Sequence, residues 1–340
     1  MKVGVSVPLT GPAATYGVDL RNIFNFLNDE LGQGRFQLLV EDDACDPKQS
    51  AAVANRFANV ERVKFVLGLP CSGAALSAAP IYERGEVLTI SAVAGTPKLS
   101  TAGDFIFRTR PTDEQAGEML NRYITRKHTS LAILVEQTEY ALGMRTAFEA
   151  AELPENFLMI VEEFPPGTTD LKASVTKLRA RRPNAILILP QTEQSLAIAV
   201  KQLHDLKWEV PIYSNWVAES RAFVKAVGPM ADGIIYATLP GASEAEASER
   251  KVLYQKFTEK FGELNSIRGT FECSYNAFAA MKLASESGGE PRATLYRTEI
   301  QGYRGKFTFD KFGDIVGLSF VLRVNQGGEP MPVTGTEGSA

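Results

Sequence analysis

Apolar runs recur along the chain and are separated by amphipathic segments. The runs are continuous in Val, Ile and Leu, which is typical of strands that are covered on both faces. Asp113–Arg126 begins with an acidic residue and Leu171–Arg182 ends with basic ones, as the helix dipole favours. Alternating strands and helices predict an α/β fold with parallel sheets. The predicted strands are Val3–Val7, Phe36–Val40, Lys64–Leu69, Val87–Ile90, Leu131–Val135, Leu158–Val161, Ala185–Leu189 and Gly233–Ala237.

The predicted strands fall into two sets of four, which indicates two α/β lobes. The first set precedes Arg110-Pro111-Thr112, and the second lies between this tripeptide and Pro240-Gly241. The C-terminal third contains helical segments followed by the strand-like runs Lys306–Phe309 and Leu318–Val324. It fits poorly as a third domain, so we expect it to complete the two lobes.

Composition excludes several classes of protein. The net charge of -4 over 340 residues argues against a nucleic-acid-binding surface, which is normally basic. No run approaches the roughly 18 apolar residues of a membrane helix. The first residues, MKVGVSVPLTG, have too short an apolar part for a signal peptide, so if the protein is exported we expect that its signal has been removed. Two histidines and three cysteines argue against a zinc site, and the odd cysteine count leaves at least one thiol free or paired between chains.

Ligands of open α/β sheets bind beyond the carboxyl ends of the strands, so the loops that follow strands are the candidate site. These loops are rich in Ser, Thr, Gly and Tyr, and poor in the paired acids, bases and nucleophiles of catalysis. Cys71 and Ser72 are potential nucleophiles, but the sequence offers no base for them. We therefore expect binding without catalytic residues, metal or cofactor. The loops include Pro8–Pro12, Glu41–Pro47, Pro70–Gly73, Ser91–Pro97, Glu136–Tyr140 and Pro190–Glu193.

Nearly the whole chain resembles the Leu/Ile/Val-binding protein family, the periplasmic receptors of branched-chain amino-acid ABC importers. The segments that carry the resemblance are PLTGPAATYG, DDACDPKQSAAVANRF, FVLGLPCS, SAVAGTPKLS, FRTRPTDEQAG and FTFDKFGDIVG. The resemblance implies the type I binding-protein fold, with two doubly wound parallel-sheet lobes that close on a ligand. It implies a first lobe of residues 1–112 plus 241–318 and a second of 113–240 plus 319–340. The three hinge crossings are expected near Pro111-Thr112, Pro240-Gly241 and Val316–Val321.

The resemblance also implies an extracytoplasmic, periplasmic receptor that is not an enzyme. Its expected partners are a small-molecule ligand and the ABC permease subunits in the membrane, with no nucleic acid, and we expect a monomer. The family pairs the cysteines that align with Cys45 and Cys71, and such a disulfide agrees with an oxidising compartment. Cys273 is then left over as a buried, inert thiol.

In the first lobe, Ser72 matches the serine that binds the ligand carboxylate in the family. A helix N-terminus suits that task, although a serine there can also simply cap the helix. Val93, Ala94 and Gly95 match an Ala-Ala-Thr ligand loop, so Gly95 lacks the threonine hydroxyl. Thr96 could replace that contact.

Tyr16 and Tyr140 match ligand-facing tyrosines, with plain packing as the alternative. In the second lobe, Gln191 lies near a ligand-binding tyrosine of the family, and Trp216 stands where the family has the glutamate that pairs with the ligand ammonium. A buried ammonium without a counter-charge costs several kcal/mol, and a cation–π contact with indole returns only about 1–2 kcal/mol.

Two acids could rebuild the ammonium site. Glu272 lies where the family has an aromatic wall residue, but it can equally be an acidic residue in a first helical turn. Asp113 can be a helix cap, or can approach a ligand amine as in some distant receptors of this fold. We therefore favour a small carboxylate, aromatic or otherwise non-standard, that stacks on Trp216 and Tyr140. The alternative is a branched-chain or other hydrophobic amino acid.

Two further alternatives carry a different function. One is an enzyme with Cys71 or Ser72 as its nucleophile. The other is a cytoplasmic ligand-sensing regulator of the same fold, for which the sequence shows no appended DNA-binding or signalling segment.

Overall fold

The computed structural model describes residues 1–240 and 248–333. The chain divides into two units: unit 1 contains Met1–Thr112 and Pro240–Leu318, and unit 2 contains Asp113–Leu239 and the chain from Ser319 onwards. Gly241, part of a predicted hinge crossing, and residues 334–340 of the predicted second lobe lie outside the described residues.

Strands and helices alternate along most of the described chain, as the apolar pattern predicts. In chain order the elements are β1 (Lys2–Val7), α1 (Ala14–Glu30), β2 (Gln37–Asp42), α2 (Pro47–Asn55), β3 (Phe65–Gly68), α3 (Ser72–Arg84), β4 (Leu88–Ser91), β5 (Ile106–Arg108), α4 (Asp113–Thr125), β6 (Ser130–Glu136), α5 (Glu139–Ala150), β7 (Leu158–Phe164), α6 (Lys172–Ala180), β8 (Ala185–Leu189), α7 (Glu193–Asp205), β9 (Ile212–Ser214), α8 (Arg221–Val227), β10 (Ile235–Thr238), α9 (Ser248–Phe261), α10 (Gly269–Glu286), α11 (Pro291–Arg297), β11 (Ile300–Gln301), β12 (Lys306–Phe309), β13 (Ile315–Val316), β14 (Val321–Gln326) and β15 (Glu329–Pro332).

Unit 1 is built on a five-stranded parallel sheet of order β2-β1-β3-β4-β5. Every residue of β3, β4 and β5 is buried, as expected for strands with helices on both faces. Helix α1 packs against α10, and α2 packs against α3. A small antiparallel sheet of order β11-β12-β13 completes the unit. The strand order reverses between β1 and β3, which is the position where doubly wound sheets bind ligands.

Unit 2 repeats this topology and extends it. Its five parallel strands have the order β7-β6-β8-β9-β10, and β14 and β15 add two antiparallel strands beside β10. All residues of β6 and β8 are buried. The switch point of unit 2 therefore lies between β6 and β8.

The structure confirms the predicted doubly wound fold and corrects some of its details. All eight strands predicted in the two lobes are present, whereas β5 and β9 were missed because each has only three residues. Helix α2 ends at Asn55, and the chain continues as a π-helix over Arg56–Glu61. The predicted strand at Leu318 begins instead at Val321, where pairing with Thr238 of β10 starts.

The predicted disulfide between Cys45 and Cys71 is present. The two residues have a Cα–Cα distance of 5.5 Å, within the range that a disulfide can span. Cys273 is a buried free cysteine, and burial raises the pKa of its thiol. The bond joins the loop after β2 to the start of α3, so it fixes two loops at the carboxyl edge of the unit 1 sheet.

Removing the disulfide should destabilise the protein substantially. Replacement of both Cys45 and Cys71 by serine releases a loop with a sequence separation of 26 residues. The free energy of unfolding should fall by about 3 kcal/mol in the chain-entropy account, measured by urea denaturation. Under non-reducing conditions the unsubstituted protein should show one reactive thiol after unfolding and three after reduction. Three thiols without reduction would contradict the pairing.

Candidate functional site

The corner that follows β3 is held in a strained conformation. Leu69 has φ of 49°, in the left-handed region that residues with a side chain rarely occupy. Its N–H donates to the Ser6 carbonyl at 2.8 Å, and its carbonyl accepts from Ser91 Oγ at 2.9 Å. These two bonds compensate for the strain and fix where Ser72 begins helix α3.

Ser72 has a buried hydroxyl without a partner. The residue is 2% exposed, and its Oγ makes no hydrogen bond to any residue that the structure describes. The N-cap of α3 is Cys71, and no described side chain caps the helix. The capping role considered for Ser72 is therefore not observed, and the first N–H groups of α3 lack an intrahelical acceptor. Leaving such a hydroxyl buried and unbonded costs about 1–3 kcal/mol, which a ligand oxygen would offset.

The loops after β1 and β2 are joined by Asp42. Its carboxylate accepts the N–H of Leu9 at 2.7 Å and the hydroxyl of Thr10 at 2.6 Å. Burial raises the pKa of Asp42, but these bonds and that of Ala44 N–H outweigh burial and lower the pKa below its usual range. The loop after β1 is therefore anchored by an ionised carboxylate at neutral pH.

Tyr16 lies in the first turn of α1 and is 6% exposed. The next residue, Gly17, touches the loop after β1 so closely that a Cβ atom would come within 1.7 Å of the Pro8 carbonyl oxygen. Glycine at this position is thus required for the approach that places Tyr16 beside the carboxyl end of β1.

The predicted ligand loop after β4 is entirely buried. Val93, Ala94 and Gly95 are all inaccessible or nearly so, and the Ala94 N–H donates to Ser91 Oγ at 3.2 Å. Thr96, which could supply the missing hydroxyl, is 1% exposed. Ser91 thus supports both this loop and the corner after β3.

Glu272 lies in the first turn of α10, 1% exposed, and pairs with Arg304 of the same unit. Its two oxygens accept from Arg304 Nε at 3.3 Å and Nη2 at 3.2 Å. The charge of Glu272 is therefore compensated by a protein cation. Its neighbour Thr270 is fully buried, and its hydroxyl has no hydrogen-bond partner within the described ranges.

In unit 2, Trp216 begins a short 3-10 helix, Trp216–Glu219, directly after β9. The Asn215 side chain accepts from Val217 N at 3.1 Å and donates to the Pro190 carbonyl at 2.9 Å. It therefore ties the Trp216 loop to the loop that carries Gln191. Trp216 is 3% exposed.

The remaining predicted residues of unit 2 open helices at the same edge. Tyr140 is the second residue of α5 and is 5% exposed, and the Thr138 hydroxyl caps that helix by accepting from Ala141 N–H. Asp113 is the first residue of α4 and is fully buried.

Three buried acids of unit 2 were missed by the sequence analysis. Glu136, Glu193 and Glu219 follow or end β6, β8 and β9, and they are 2%, 6% and 5% exposed. Glu219 accepts a hydrogen bond from Thr238. Their positions in the sequence could have indicated that these acids belong to the candidate site. Two of them lie in the candidate loops that follow strands, and Glu219 is three residues after Trp216. An acidic residue in a loop does not by itself indicate that its side chain is buried, because burial depends on contacts with strands that are distant in the sequence.

The described residues include no group of three His, Cys, Asp or Glu side chains that could hold a metal ion. Within the same ranges, no helix combines the length and apolarity needed to span a bilayer. The geometry instead provides hydroxyls, helix N-termini, aromatic rings and carboxylates, which are groups that recognise a polar small molecule.

Glu136 should make stability depend on pH. Its carboxylate accepts from Gln191 N at 2.6 Å and Ser195 Oγ at 3.0 Å, yet burial outweighs these bonds and raises its pKa. The contribution of Glu136 to the free energy of unfolding is therefore fully present below about pH 4.3, the pKa of a glutamate in the unfolded chain. It is lost as the pH rises through the higher pKa that Glu136 has in the folded protein. Glu136→Gln keeps an oxygen acceptor without the charge. Relative to the unsubstituted protein, this variant should gain stability between about pH 4 and pH 7 in urea denaturation.

Glu163→Gln is the matched control for this measurement. Hydrogen bonds from Gln137 and Arg145 lower the pKa of the exposed Glu163 carboxyl. The contribution of Glu163 to the free energy of unfolding is present above the pKa of the unfolded chain. Relative to the unsubstituted protein, Glu163→Gln should therefore lose stability as the pH rises over the same interval. A change in the same direction for both variants would contradict the assigned environment of Glu136.

The chain matches a family model described as Periplasmic binding protein over residues 1–329. It is 30% identical to the Leu/Ile/Val-binding protein of Escherichia coli K12 over 333 residues, covering 94% of this chain and 89% of that protein. This confirms the resemblance inferred from the sequence motifs.

Solved structures share the fold along almost the full length. A leucine-binding protein of Thermotoga maritima superposes with a TM-score of 0.87 at 20% identity, covering 97% of both chains. An ABC transporter solute-binding protein of Rhodopseudomonas palustris, solved with 4-hydroxybenzoate, superposes with a TM-score of 0.83 at 20% identity, covering 98% of this chain and 95% of that one. The chain belongs to the periplasmic binding protein family, which implies an extracytoplasmic location.

Proposed function

We propose that this receptor binds a small carboxylate, with an aromatic acid favoured, and delivers it to the ABC permease subunits in the membrane. The observation that carries the proposal is the buried hydroxyl of Ser72 at the N-terminus of α3, which has no hydrogen-bond partner in the described part of the chain. Each unit carries candidate ligand-contacting residues of its own.

Unit 1 would supply the carboxylate contacts. A carboxylate beside Ser72 would satisfy its hydroxyl and the first N–H groups of α3, and the helix dipole favours an anion there. The buried loop Val93–Gly95 would add backbone contacts. Charge-assisted hydrogen bonds of this kind are about twice as strong as neutral ones.

Unit 2 would supply the aromatic surface. Trp216 and Tyr140 lie at the carboxyl ends of β9 and β6 of one sheet. Offset stacking on an aromatic ring contributes about 0.5–1.5 kcal/mol beyond burial of its area. The Rhodopseudomonas palustris protein of the same fold was solved with 4-hydroxybenzoate, which makes this acid the first ligand to test.

A hydrophobic amino acid is the second candidate, and the buried acids of unit 2 favour it. The Escherichia coli relative is named a Leu/Ile/Val-binding protein. Because Glu272 pairs with Arg304, an ammonium partner is better sought in unit 2, at Glu193 or Glu219, with Asp113 as a further possibility. A carboxylate contact of this kind would offset the desolvation of the ammonium.

Several observations support a receptor over an enzyme or a cytoplasmic regulator. Cys71 is bonded to Cys45 and so offers no thiolate. Ser72 makes no hydrogen bond to a base among the residues described. The disulfide agrees with an oxidising compartment such as the periplasm. We also propose that the receptor is a monomer that binds no nucleic acid.

Calorimetry with a matched pair of ligands tests the proposal. We expect 4-hydroxybenzoate to bind and L-leucine to bind much more weakly or not at all. Ser72→Ala should weaken binding by roughly 10- to 100-fold, because hydrogen bonds to charged groups contribute about 1.5–3 kcal/mol. Ser77→Ala, whose hydroxyl already bonds to the Pro47 and Ala74 carbonyls, is the control and should leave affinity unchanged. Tight leucine binding would favour the second candidate.

Tryptophan fluorescence tests the contribution of unit 2, because the chain contains only two tryptophans. A change of emission on adding 4-hydroxybenzoate should persist in Trp208→Phe and disappear in Trp216→Phe. Trp216→Ala should weaken binding by more than about 1 kcal/mol. A signal that remains in Trp216→Phe would place this residue outside the site.

A further inference from the structure

We propose that Arg108 is a positioning residue for the ligand loop Val93–Thr96, and that Asp314 holds its guanidinium in place. The inference rests on the proposed function for the role of this loop in binding. Arg108 ends β5 and Asp314 lies in the turn between β12 and β13, so both belong to unit 1.

One guanidinium joins three parts of unit 1. Arg108 is 1% exposed, and its Nε and Nη2 bind the two oxygens of Asp314 at 2.6 and 2.9 Å. Its Nη1 donates to the Thr96 carbonyl at 2.6 Å, and its Nη2 also donates to Ser100 Oγ at 2.6 Å. The guanidinium therefore anchors the end of the ligand loop and the 3-10 helix that follows it, Pro97–Thr101.

The position of Asp314 is fixed by backbone contacts rather than by its side chain alone. Gly313 accepts the Arg108 N–H at 2.9 Å, and a Cβ atom at Gly313 would come within 2.4 Å of the Ile106 carbonyl oxygen. Asp310 accepts the Asp314 N–H at 3.0 Å. The turn is thus pressed onto β5 and presents the carboxylate to Arg108 in one orientation.

Backbone position is decisive in this loop because Gly95 has no side chain to offer a ligand. Contacts from Val93–Gly95 to a carboxylate must come from main-chain groups, and their directions depend on how the loop is anchored. Lysine cannot replace arginine here, since a single ammonium lacks the planar fork that binds Asp314 and the Thr96 carbonyl together.

The test combines hydrogen exchange of the ligand-free protein with calorimetry, using 4-hydroxybenzoate and L-leucine as probes. Arg108→Lys should speed amide exchange in the peptide covering residues 92–101 and raise the dissociation constant of whichever probe binds by about tenfold. Arg35→Lys is the matched control, because Arg35 makes an exposed ion pair with Glu286 in the same unit. It should change neither quantity.

A second control separates positioning from general destabilisation. Leu27 is fully buried in α1, so Leu27→Ala should lower the melting temperature. If Leu27→Ala speeds exchange in 92–101 and weakens binding as much as Arg108→Lys does, the positioning role is overturned. Faster exchange that is confined to residues 92–101 in Arg108→Lys supports the positioning role. If neither probe binds to the unsubstituted protein, the proposed ligand classes fail, but the exchange result still supports the role of Arg108 in holding the loop.

Ser100→Ala covers the case in which Arg108→Lys does not fold. It removes a hydroxyl that accepts from the guanidinium and donates to Asp314 Oδ2 at 2.7 Å, but it leaves the ion pair and both charges. We expect a smaller increase of exchange in the same peptide. Exchange and affinity that both match the unsubstituted protein would overturn the proposal.

Discussion

Parallel pairing of β1 with β3 is the constraint on which the rest of unit 1 depends. The register pairs Gly4 with Val66 and Ser6 with Gly68, so the two strands end at the same edge of the sheet. Strand β2 is added on the far side of β1, and β4 is added on the far side of β3, so the connections from β1 and from β3 run to opposite sides of this switch point. The loop after β1 and the start of α3 therefore meet where no crossover covers the edge. Unit 2 has the same strand order, so its own switch point follows from the same rule.

The loops at this edge contain residues in unfavourable backbone conformations, and buried polar contacts offset this conformational energy. Ala44 and Cys45 have φ of 50° and 59°, which is unfavourable for residues with a Cβ atom. Their N–H groups donate to the side chains of Asp42 and Asp43, and Cys45 is also held by the disulfide. Asp43 in turn accepts from Ser6 inside β1 at 2.8 Å. A loop fixed before the ligand arrives loses less conformational entropy on binding, and such preorganisation increases affinity without additional contacts.

Continuous apolar runs were enough to predict the long strands, because burial on both faces leaves a signal in consecutive residues. The strand β5 carries no such signal, since it has three residues and ends in an arginine. That arginine is charged and yet buried, and its partner Asp314 is 206 positions away. The same limit applies to Glu272, whose place in a first helical turn could be predicted but whose pairing with Arg304 could not. The disulfide was predicted through family resemblance and not through spacing. Pairings between distant residues depend on tertiary packing, which periodicity does not report.

Under the proposed function, the identity of the ligand depends on whether the acids of unit 2 must compensate a positive charge. An ammonium enclosed without a carboxylate costs several kcal/mol, whereas stacking on Trp216 contributes about 0.5–1.5 kcal/mol. If Trp216 contacts the ligand as proposed, it therefore suits a ligand that carries no ammonium. Of the buried acids, Glu136 accepts hydrogen bonds from the protein, and burial raises its pKa, which disfavours its charged form. Glu219 already accepts from Thr238, so a ligand ammonium would have to share that carboxylate. A ligand without an ammonium needs no counter-charge from these acids, whereas an amino acid would have to pair with Glu193 or share Glu219. This difference is the physical reason for preferring an aromatic acid.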